Sequence, residues 1–285
     1  MPTLDVKQYV ELNMSDKVWF ITGAGRGLGH LIARDAIQTG DKVVATSAVA
    51  DGVAEGLSAP EDSLLVLPLD VTDPEAASAA HDAALKRFGR VDVLVNNAGR
   101  AQLGWFETIP EEDVRRQFDI NLFGAMNVAR SVLPTMRRQR SGLIVTISSV
   151  NGLVANPGGS VYAASKFALE GWMEGLAEEI APLGIRALIV EPGMMRTNFL
   201  APSTARQGQL EIADYAEAVE GFRSFIAQAN GTQPSDPEDL AAMIVAEAAA
   251  SEPARRLLFG EDAHDWAGAK CRQLSAEINT SRSRA

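Results

Sequence analysis

The chain has little of several features that define whole classes of protein. Among its 285 residues it has one cysteine, Cys271, and three histidines. A single cysteine forms neither an intrachain disulfide nor a cysteine cluster, so we expect a protein of the reducing cytoplasm. The three histidines, His30, His81 and His264, are scattered without the spacing of metal ligands. We therefore expect surface histidines and no metal centre.

Long apolar runs and an excess of basic residues are also missing. No uninterrupted apolar run approaches the ~20 residues that cross a membrane. Residues 1–15 carry Asp5, Lys7 and Glu11 and no apolar stretch, so we expect an N-terminal extension and no signal peptide. The formal net charge of -11 argues against nucleic acid and anionic membranes as partners. The length predicts one catalytic domain over 16–285.

What the chain does have is a regular alternation of strand and helix patterns. Short β-branched and aromatic runs predict seven strands at 17–22, 43–45, 64–67, 91–95, 143–147, 185–190 and 256–259. Helical patterns fill 27–39, 74–88, 110–138, 161–181 and 237–250. This alternation predicts an α/β fold with a parallel sheet that is covered by helices on both faces.

The segment 194–236 interrupts the alternation, and no strand is predicted in it. Its apolar residues recur at helical steps, at Ile212, Tyr215, Val219, Phe222 and Ile226. A long insertion in a compact domain is usually functional, so we predict a substrate-binding lid. The alternative is a helix that only caps the core.

Two residues of the run Ser-Val-Tyr-Ala-Ala-Ser-Lys carry chemistry. Tyr162 and Lys166 are four residues apart, which puts them on one face of a helix. A phenol has a pKa near ~10, and a nearby ammonium favours the phenolate. Such a tyrosine can exchange a proton with an alcohol near neutral pH.

A glycine-rich turn, Thr22-Gly-Ala-Gly-Arg-Gly-Leu-Gly29, follows the first strand and opens a helix. Glycines at 23, 27 and 29 let the backbone turn tightly and approach a pyrophosphate, while the helix N-terminus offers free N–H groups. The alternative is a turn that only connects the two elements.

These motifs stand in the order of a known family, together with Asn96-Asn97-Ala98-Gly99, Asn121, Ser149 and Pro192-Gly193. From about residue 16 to 260 the chain resembles the classical short-chain dehydrogenases/reductases. The resemblance implies a Rossmann-type doubly wound sheet with strand order 3-2-1-4-5-6-7. It also implies hydride transfer between a nicotinamide cofactor and a secondary alcohol or ketone. The chain is most similar to the branch of 17β-hydroxysteroid dehydrogenases.

The resemblance assigns four catalytic roles. It implies that Tyr162 is the general acid/base and that Lys166 lowers the pKa of Tyr162. It implies that Ser149 holds the substrate oxygen, and the thirteen-residue spacing to the tyrosine selects Ser149 over Ser148. Asn121 would anchor a water relay to Lys166, and the alternative is a solvent-facing side chain.

The resemblance also implies a set of cofactor contacts. They are Gly23, Arg26, Gly27, Leu28, Gly29, Ser47, Asp70, Val71, Asn97, Ala98, Gly99, Tyr162, Lys166, Pro192, Gly193 and Thr197. Ser47 and Ala48 stand where the family carries the Asp or Arg that separates NAD from NADP users. Arg26 remains as a cation for a 2′-phosphate, so we predict NADP, with NAD as the alternative. Asp51 is an acid that could compete for the ribose.

The predicted substrate pocket is mostly large and apolar. Its candidate walls are Trp105, Leu153, Val154, Met194, Met195, Phe199 and Leu200. Such walls favour a bulky hydrophobic ketone or alcohol. Arg100 complicates this prediction, since it either faces solvent or meets a carboxylate or phosphate on the substrate.

The helices at 110–138 and 161–181 are apolar on more than one face, and the sheet covers only one. We therefore expect a homodimer or homotetramer. Two other functions remain open: a catalytically inactive NADP-binding regulatory protein, and an epimerase or dehydratase of related fold. The presence of all four catalytic residue types favours the oxidoreductase.

Overall fold

The computed structural model of the protein describes residues 16–49, 52–53, 56–60, 62–201 and 204–284, so the predicted N-terminal extension and Asp51 lie outside it. The strands are β1 (Val18–Thr22), β2 (Lys42–Ser47), β3 (Leu64–Pro68), β4 (Val93–Asn96), β5 (Ala101–Leu103), β6 (Gly142–Ile147), β7 (Ile185–Pro192), β8 (Ala205–Gln207) and β9 (Arg256–Phe259). The α-helices are α1 (Gly27–Gln38), α2 (Pro74–Phe88), α3 (Glu111–Phe118), α4 (Gly124–Gln139), α5 (Ser160–Ile180), α6 (Ala216–Ala229), α7 (Pro237–Ala249) and α8 (Glu261–Arg282).

Seven parallel strands form one sheet in the order β3-β2-β1-β4-β6-β7-β9. This is the predicted doubly wound order, and the prediction is confirmed. In such a sheet a ligand binds outside the carboxyl ends of the strands, where the strand order reverses. Here the order reverses between β1 and β4, so the loops that follow these two strands lie side by side.

The sheet is buried on both faces, as its continuous apolar strands require. Along β1, Trp19 and Ile21 point into the core beneath α1 and α7. Val18 and Phe20 point into the opposite core, beneath α2, α4 and α5. The alternation of side chains along one strand therefore joins both layers to the sheet.

The helix predicted over 110–138 is interrupted. Between α3 and α4 lies a π-helical segment, Asp119–Phe123, which contains Asn121. A π-helical turn holds one extra residue and shifts the side chains around it, and such turns are frequent at functional sites. The sequence pattern does not reveal it because apolar residues continue through the segment.

A pair of short strands and one helix were not predicted. β5 pairs in parallel with β8, which corrects the prediction that 194–236 contains no strand. Each of these strands has three residues, too few for a period-two pattern to stand out. The helix that was not predicted is the C-terminal α8, and its first turns pack on the rest of the domain through Ala263 and Ala267.

Neither a membrane span nor a metal site is found in the described part of the chain. No helix there is both long and apolar enough to cross a membrane. No group of three or more His, Cys, Asp or Glu side chains there is placed to hold a metal ion.

Candidate active site

A cavity of about 730 Å³ opens at the carboxyl ends of the central strands. It gathers most of the residues singled out from the sequence. Those that line it are Gly23, Arg26, Gly27, Leu28, Ser47, Asp70, Val71, Asn97, Ala98, Gly99, Ser149, Tyr162, Lys166, Pro192, Gly193, Met194, Met195, Thr197, Phe199 and Leu200. Five of the predicted residues lie outside its lining: Gly29, Trp105, Asn121, Leu153 and Val154.

The glycine-rich turn is shaped by main-chain constraints. Gly23 and Gly27 have φ angles of 66° and 58°, which side chains other than hydrogen rarely allow. A Cβ on Gly29 would lie 2.4 Å from Asn97 Nδ2, so Gly29 serves close packing of the turn and not contact with a ligand. Helix α1 begins directly after Arg26 with no side-chain cap, which leaves its first N–H groups free to bind an anion.

Asn97 locks the turn to the end of β4. Its Nδ2 donates to the carbonyl oxygens of Thr22 and Gly23 at 2.9 and 3.1 Å. The Thr22 hydroxyl in turn accepts from the N–H groups of Asn97 and Ala98, both at 3.0 Å. The two loops at the point of strand reversal are therefore one hydrogen-bonded unit.

Ser149, Tyr162 and Lys166 meet at the cavity wall. Ser149 and Tyr162 both line the cavity, and Ser149 is near enough to lower the pKa of the phenol. Ser149 Oγ also accepts from Asn151 N–H at 3.1 Å, which fixes its position after β6. Lys166 Nζ donates to the Ile147 carbonyl at 2.8 Å and lies 5.9 Å from the centroid of the Tyr162 ring.

Burial dominates the ionisation of this group. Desolvation raises the pKa of Tyr162 to about 12, against a smaller lowering by Ser149. Desolvation lowers the pKa of Lys166 to about 8, while the negative charge of Glu170 raises it. Lys166 is not among the groups that shift the pKa of Tyr162 here, so the lowering of that pKa by Lys166 stays a prediction. Lys166 can nevertheless change its protonation near neutral pH.

Asn121 is 2% exposed and lies outside the cavity lining. Its Nδ2 donates to the Arg100 carbonyl at 3.0 Å, and its Oδ1 accepts from Arg100 N–H at 2.9 Å. Nδ2 also lies 3.3 Å from Ser165 Oγ, on the helix that carries Tyr162. The solvent-facing alternative is therefore wrong. The Asn121 side chain joins the loop after β4 to α5.

Comparison with known proteins settles the family. The sequence profile described as short chain dehydrogenase matches residues 17–208. The chain belongs to the short-chain dehydrogenase family. The oxidoreductase BOA17 of Botryotinia fuckeliana (strain B05.10) is 36% identical over 261 residues, which are 91% of this chain and 94% of that protein.

Two solved structures agree with this assignment. A short-chain dehydrogenase from Streptomyces avermitilis is 40% identical and superposes with a TM-score of 0.86, over 94% of this chain and 97% of that one. A short-chain dehydrogenase/reductase from Burkholderia phymatum, in complex with NAD, is 25% identical with a TM-score of 0.80. That match covers 94% of this chain and 96% of that one. This short-chain dehydrogenase is therefore an oxidoreductase of a family that uses nicotinamide cofactors.

The cavity of this short-chain dehydrogenase fits an anionic dinucleotide. The chain is acidic overall, yet the charged side chains that line the cavity are mostly basic. The basic ones are Arg26, Arg100, Arg116 and Lys166, and the acidic one is Asp70. Asp70 accepts from both the N–H and the hydroxyl of Thr72, at 2.9 and 2.7 Å. Asp73, and not Asp70, caps helix α2. Asp70 is thus left at the cavity, where the resemblance implies a contact with the cofactor.

Arg26 and Ser47 lie at the same end of the cavity. Ser47 ends β2, and a Cβ on Gly25 would lie 3.0 Å from Ser47 Oγ, so the serine side chain packs against the glycine turn. Arg26 is exposed and forms no ion pair with another described residue. Its guanidinium is therefore available to an anionic ligand.

Arg100 lines the cavity, but its guanidinium is already paired within the protein. Its Nη2 donates to Gln102 Oε1 at 2.7 Å and to Asp113 Oδ1 at 3.2 Å. The ion pair with Asp113 is largely buried, with the two side chains 17% and 22% exposed. The solvent-facing alternative is therefore wrong, whereas contact with a carboxylate or phosphate on the substrate stays a prediction.

Three predicted pocket residues are displaced by neighbours. Leu153 and Val154 donate their N–H groups to the Val150 carbonyl, and this short turn puts Val150 and Asn151 on the cavity wall in their place. The Trp105 ring packs edge-on against Phe222 with centroids 5.7 Å apart, and Phe222 lines the cavity itself. The sequence could not rank these neighbours, because the turns that orient them depend on tertiary contacts.

Other cavity residues were missed altogether. They are Leu103, Ile120, Ile147, Phe225, Ile226, Gln233 and Trp266, among others. Ile226 belongs to the predicted apolar stripe, so its signal was present. No local sequence pattern marks Gln233 or Trp266 as cavity residues. Tertiary folding brings them to the cavity, Gln233 from the connection after α6 and Trp266 from the helix after β9.

The segment after β7 is held by the C-terminal helix. Thr197 lines the cavity, and its Oγ1 accepts from Phe199 N–H at 3.2 Å. Asp262, in the first turn of α8, accepts from Met194 N–H at 2.7 Å. A Cβ on Gly193 would lie 2.2 Å from Asp262 Oδ1, so only glycine permits this approach.

Proposed function

We propose that the protein transfers a hydride between a nicotinamide cofactor, with NADP preferred over NAD, and a hydrophobic secondary alcohol or ketone. The observation that carries this proposal is the contact of Ser149, Tyr162 and Lys166 at one wall of the cavity that the glycine turn opens. When bound, a nicotinamide cofactor supplies or accepts the hydride at the carbonyl carbon.

The protein supplies the proton and holds the oxygen. In the reductive direction, Tyr162 gives its hydroxyl proton to the carbonyl oxygen as the C=O bond becomes a single bond. Ser149 Oγ, at the same wall of the cavity as Tyr162, would hold that oxygen beside the phenol. Lys166, whose burial lowers its pKa to about 8, would return a proton to the tyrosine.

Apolar walls support the substrate class. Tyr162 belongs to one apolar cluster with Leu103, Phe199, Phe222 and Ile226. Its ring lies 5.7 Å from the Phe199 ring, so a carbonyl that reaches the phenol must pass apolar surface. We propose 194–236 as the lid over this pocket. At the surface of this segment, the hydroxyl of Tyr215 donates to Glu107.

The cofactor preference rests on Arg26. An exposed arginine beside a free helix N-terminus, with a serine at the end of β2, favours a 2′-phosphate. Met194, Met195 and Thr197 would face the nicotinamide end. Gly23, Gly27 and Asp70 would face the adenosine end.

A homodimer or homotetramer is proposed from two exposed aromatic residues. Phe123 and Phe167 are 51% and 43% exposed, next to the cluster that α4 and α5 share. A self-complementary contact would cover both. Light scattering at micromolar concentration should give a dimer or tetramer, and a monomer would contradict the proposal.

A panel of ketones tests the proposed activity. Each ketone is mixed with the enzyme and either NADPH or NADH, and the loss of absorbance at 340 nm is followed. We expect the highest kcat/KM with NADPH and bulky apolar ketones, and little rate with matched keto acids. If no ketone or alcohol on the panel gives turnover with either cofactor, the proposed function is wrong.

A further inference from the structure

Gln233 lies in the connection between α6 and α7 and forms part of the cavity wall. It is only 2% exposed. Its main-chain carbonyl accepts from Arg196 Nη1 at 3.2 Å. The main-chain N–H of Arg196 also donates to the Ser235 carbonyl, two residues further along, at 2.9 Å. Gln233 is therefore held in place against the segment that follows β7.

The orientation of the Gln233 amide is fixed. The main-chain N–H of Gly231 donates to its Oε1 at 2.8 Å. A main-chain N–H can only donate, so the atom that accepts must be the oxygen. The amide nitrogen Nε2 is therefore the free end of the side chain.

Nε2 is buried and has no hydrogen-bond partner among the described residues. A buried amide donor that is left unpaired costs about 1 to 3 kcal/mol. Native structures rarely leave such a donor without a partner unless a ligand or an ordered water supplies the acceptor.

The surroundings of Gln233 point to a substrate. Ser148 Oγ and Thr204 Oγ1 also line the cavity and lack a partner in the described part of the chain. A hydroxyl either donates or accepts, whereas Nε2 can only donate. Gln233 lies in the connection after α6, whose Phe222 and Ile226 line the cavity and pack in one cluster with Tyr162. The donor therefore lies between the end of this apolar helix and the segment that follows β7.

We infer that Gln233 selects the substrate, by donating a hydrogen bond from Nε2 to a second oxygen of the ketone. This inference rests on the proposed function and deepens it. The substrate class it names is a bulky ketone with an acceptor oxygen away from the reacting carbonyl, such as a keto ester or a hydroxyketone. A site that hydrogen-bonds a substrate oxygen discriminates against the analogue that lacks it.

The test uses a hydrophobic keto ester and a matched ketone in which methylene groups replace the ester oxygens. Gln233→Met removes donor and acceptor, whereas Gln233→Glu keeps an acceptor for Gly231 N–H and removes the donor. Gln228→Met makes the same change at an exposed position of α6 outside the cavity lining. Each protein is assayed for kcat/KM with NADPH, for the Kd of NADPH, and for the Kd of each ketone in the presence of saturating NADP⁺.

We expect wild type and Gln228→Met to prefer the keto ester by about tenfold in both Kd and kcat/KM. Both Gln233 variants should lose that preference and keep the Kd of NADPH and the binding of the matched ketone. An equal preference in wild type and both Gln233 variants overturns the inference. So does an equal loss on both ketones, which would mean that Gln233 only holds its loop.

A weaker Kd for NADPH with an unchanged ketone preference would assign the amide to the cofactor and also overturn the inference. Failure of the proposed function gives a different pattern. If wild type turns over neither ketone, the chemistry is wrong, yet the two Kd values with NADP⁺ still decide whether Gln233 recognises the second oxygen.

Discussion

Helix α5 buries titratable side chains at two places, and the two places differ in how their charges are satisfied. Near its start, Tyr162 and Lys166 face the cavity, and Lys166 Nζ donates only to a main-chain carbonyl. One turn beyond Lys166, Glu170 faces away from the cavity and meets Arg256, which also pairs with Glu174 and Glu191. The first group lines a cavity that can take a ligand, and the second forms ion pairs within the protein.

The second place is an ionic cluster around one arginine. Arg256 Nη1 donates to Glu170 Oε2 at 2.6 Å and also to Glu191, and Nη2 donates to Glu174. Burial tends to lower the pKa of Arg256, but the bond to Glu170 and the charges of Glu191 and Glu170 raise it. Glu191 is fully buried, and burial together with the charge of Glu170 raises its pKa to about 7.

The difference teaches that buried ionisable groups on and beside one helix can have different roles. Desolvation disfavours the charged form at both places, since it lowers the pKa of Lys166 and raises the pKa of Glu191 on β7. Only the first group lies where a substrate can reach it. Substitutions at the two places should therefore separate turnover from stability.

The largest expected effect is on stability, at Arg256. Arg256→Met leaves Glu170 and Glu191 buried without their cation, which should lower the free energy of unfolding by about 3 kcal/mol or more. Arg255→Met is the matched control, since among the described residues Arg255 pairs with the exposed Glu178 alone and should contribute less than about 1 kcal/mol. Urea unfolding measures both. Equal losses in the two variants would show that the cluster is not structural.

A smaller effect is expected at the cavity, on the choice of cofactor. Arg26→Ala should weaken NADPH binding by about 1.5 to 3 kcal/mol, the range for a hydrogen bond to a charged group. NADH lacks the 2′-phosphate, so its Kd should stay the same in this variant. Calorimetric titration of both cofactors gives the answer. An equal loss for the two cofactors, or a wild-type preference for NADH, would contradict the NADP assignment.

The smallest effect is a pH dependence that belongs to Glu191. Its pKa is raised in the folded state, so it contributes stability that is fully present below the ordinary carboxyl range and lost as the pH rises to about 7. Glu191→Gln cannot titrate. Between pH 5 and pH 7.5 the variant should therefore gain stability relative to wild type, by at least about 1.4 kcal/mol, the equivalent of one pKa unit.

Urea unfolding of both proteins at several pH values measures this difference. Other groups, such as the buried His81, titrate equally in the two proteins and cancel. A relative loss of stability in Glu191→Gln as the pH rises would mean that the Glu191 carboxylate is favoured in the folded state, against the assignment.

The sequence predicts one half of the site better than the other. Strong apolar runs locate the strands of the central sheet, and the site residues come after these strands in the chain. They are the glycine turn, Asn97, Ser149 and Tyr162. The apolar runs are local signals, and the resemblance to the family supplied the strand order and the roles, so these positions could be placed from the sequence.

The cavity wall beyond Ser149 and the segment that follows β7 were predicted less well, because both depend on tertiary contacts. Val150 and Asn151 replace Leu153 and Val154 at the wall because of one short turn. The pairing of β5 with β8 joins segments about a hundred residues apart, for which no local pattern exists. Gln233 reaches the cavity in the same way, through contacts with the segment after β7.

The most direct test of the account is the turnover of Tyr162→Phe. This variant keeps the ring that packs on Phe199 and loses only the proposed proton donor. Tyr215→Phe is the control, because it removes a tyrosine hydroxyl from the exposed pair with Glu107. Reduction of the best ketone by NADPH is measured with the Kd of NADPH and the free energy of unfolding. We predict a loss of at least about 10²-fold in kcat for Tyr162→Phe, with cofactor binding and stability retained and Tyr215→Phe unaffected. Near-normal turnover in Tyr162→Phe would contradict the account.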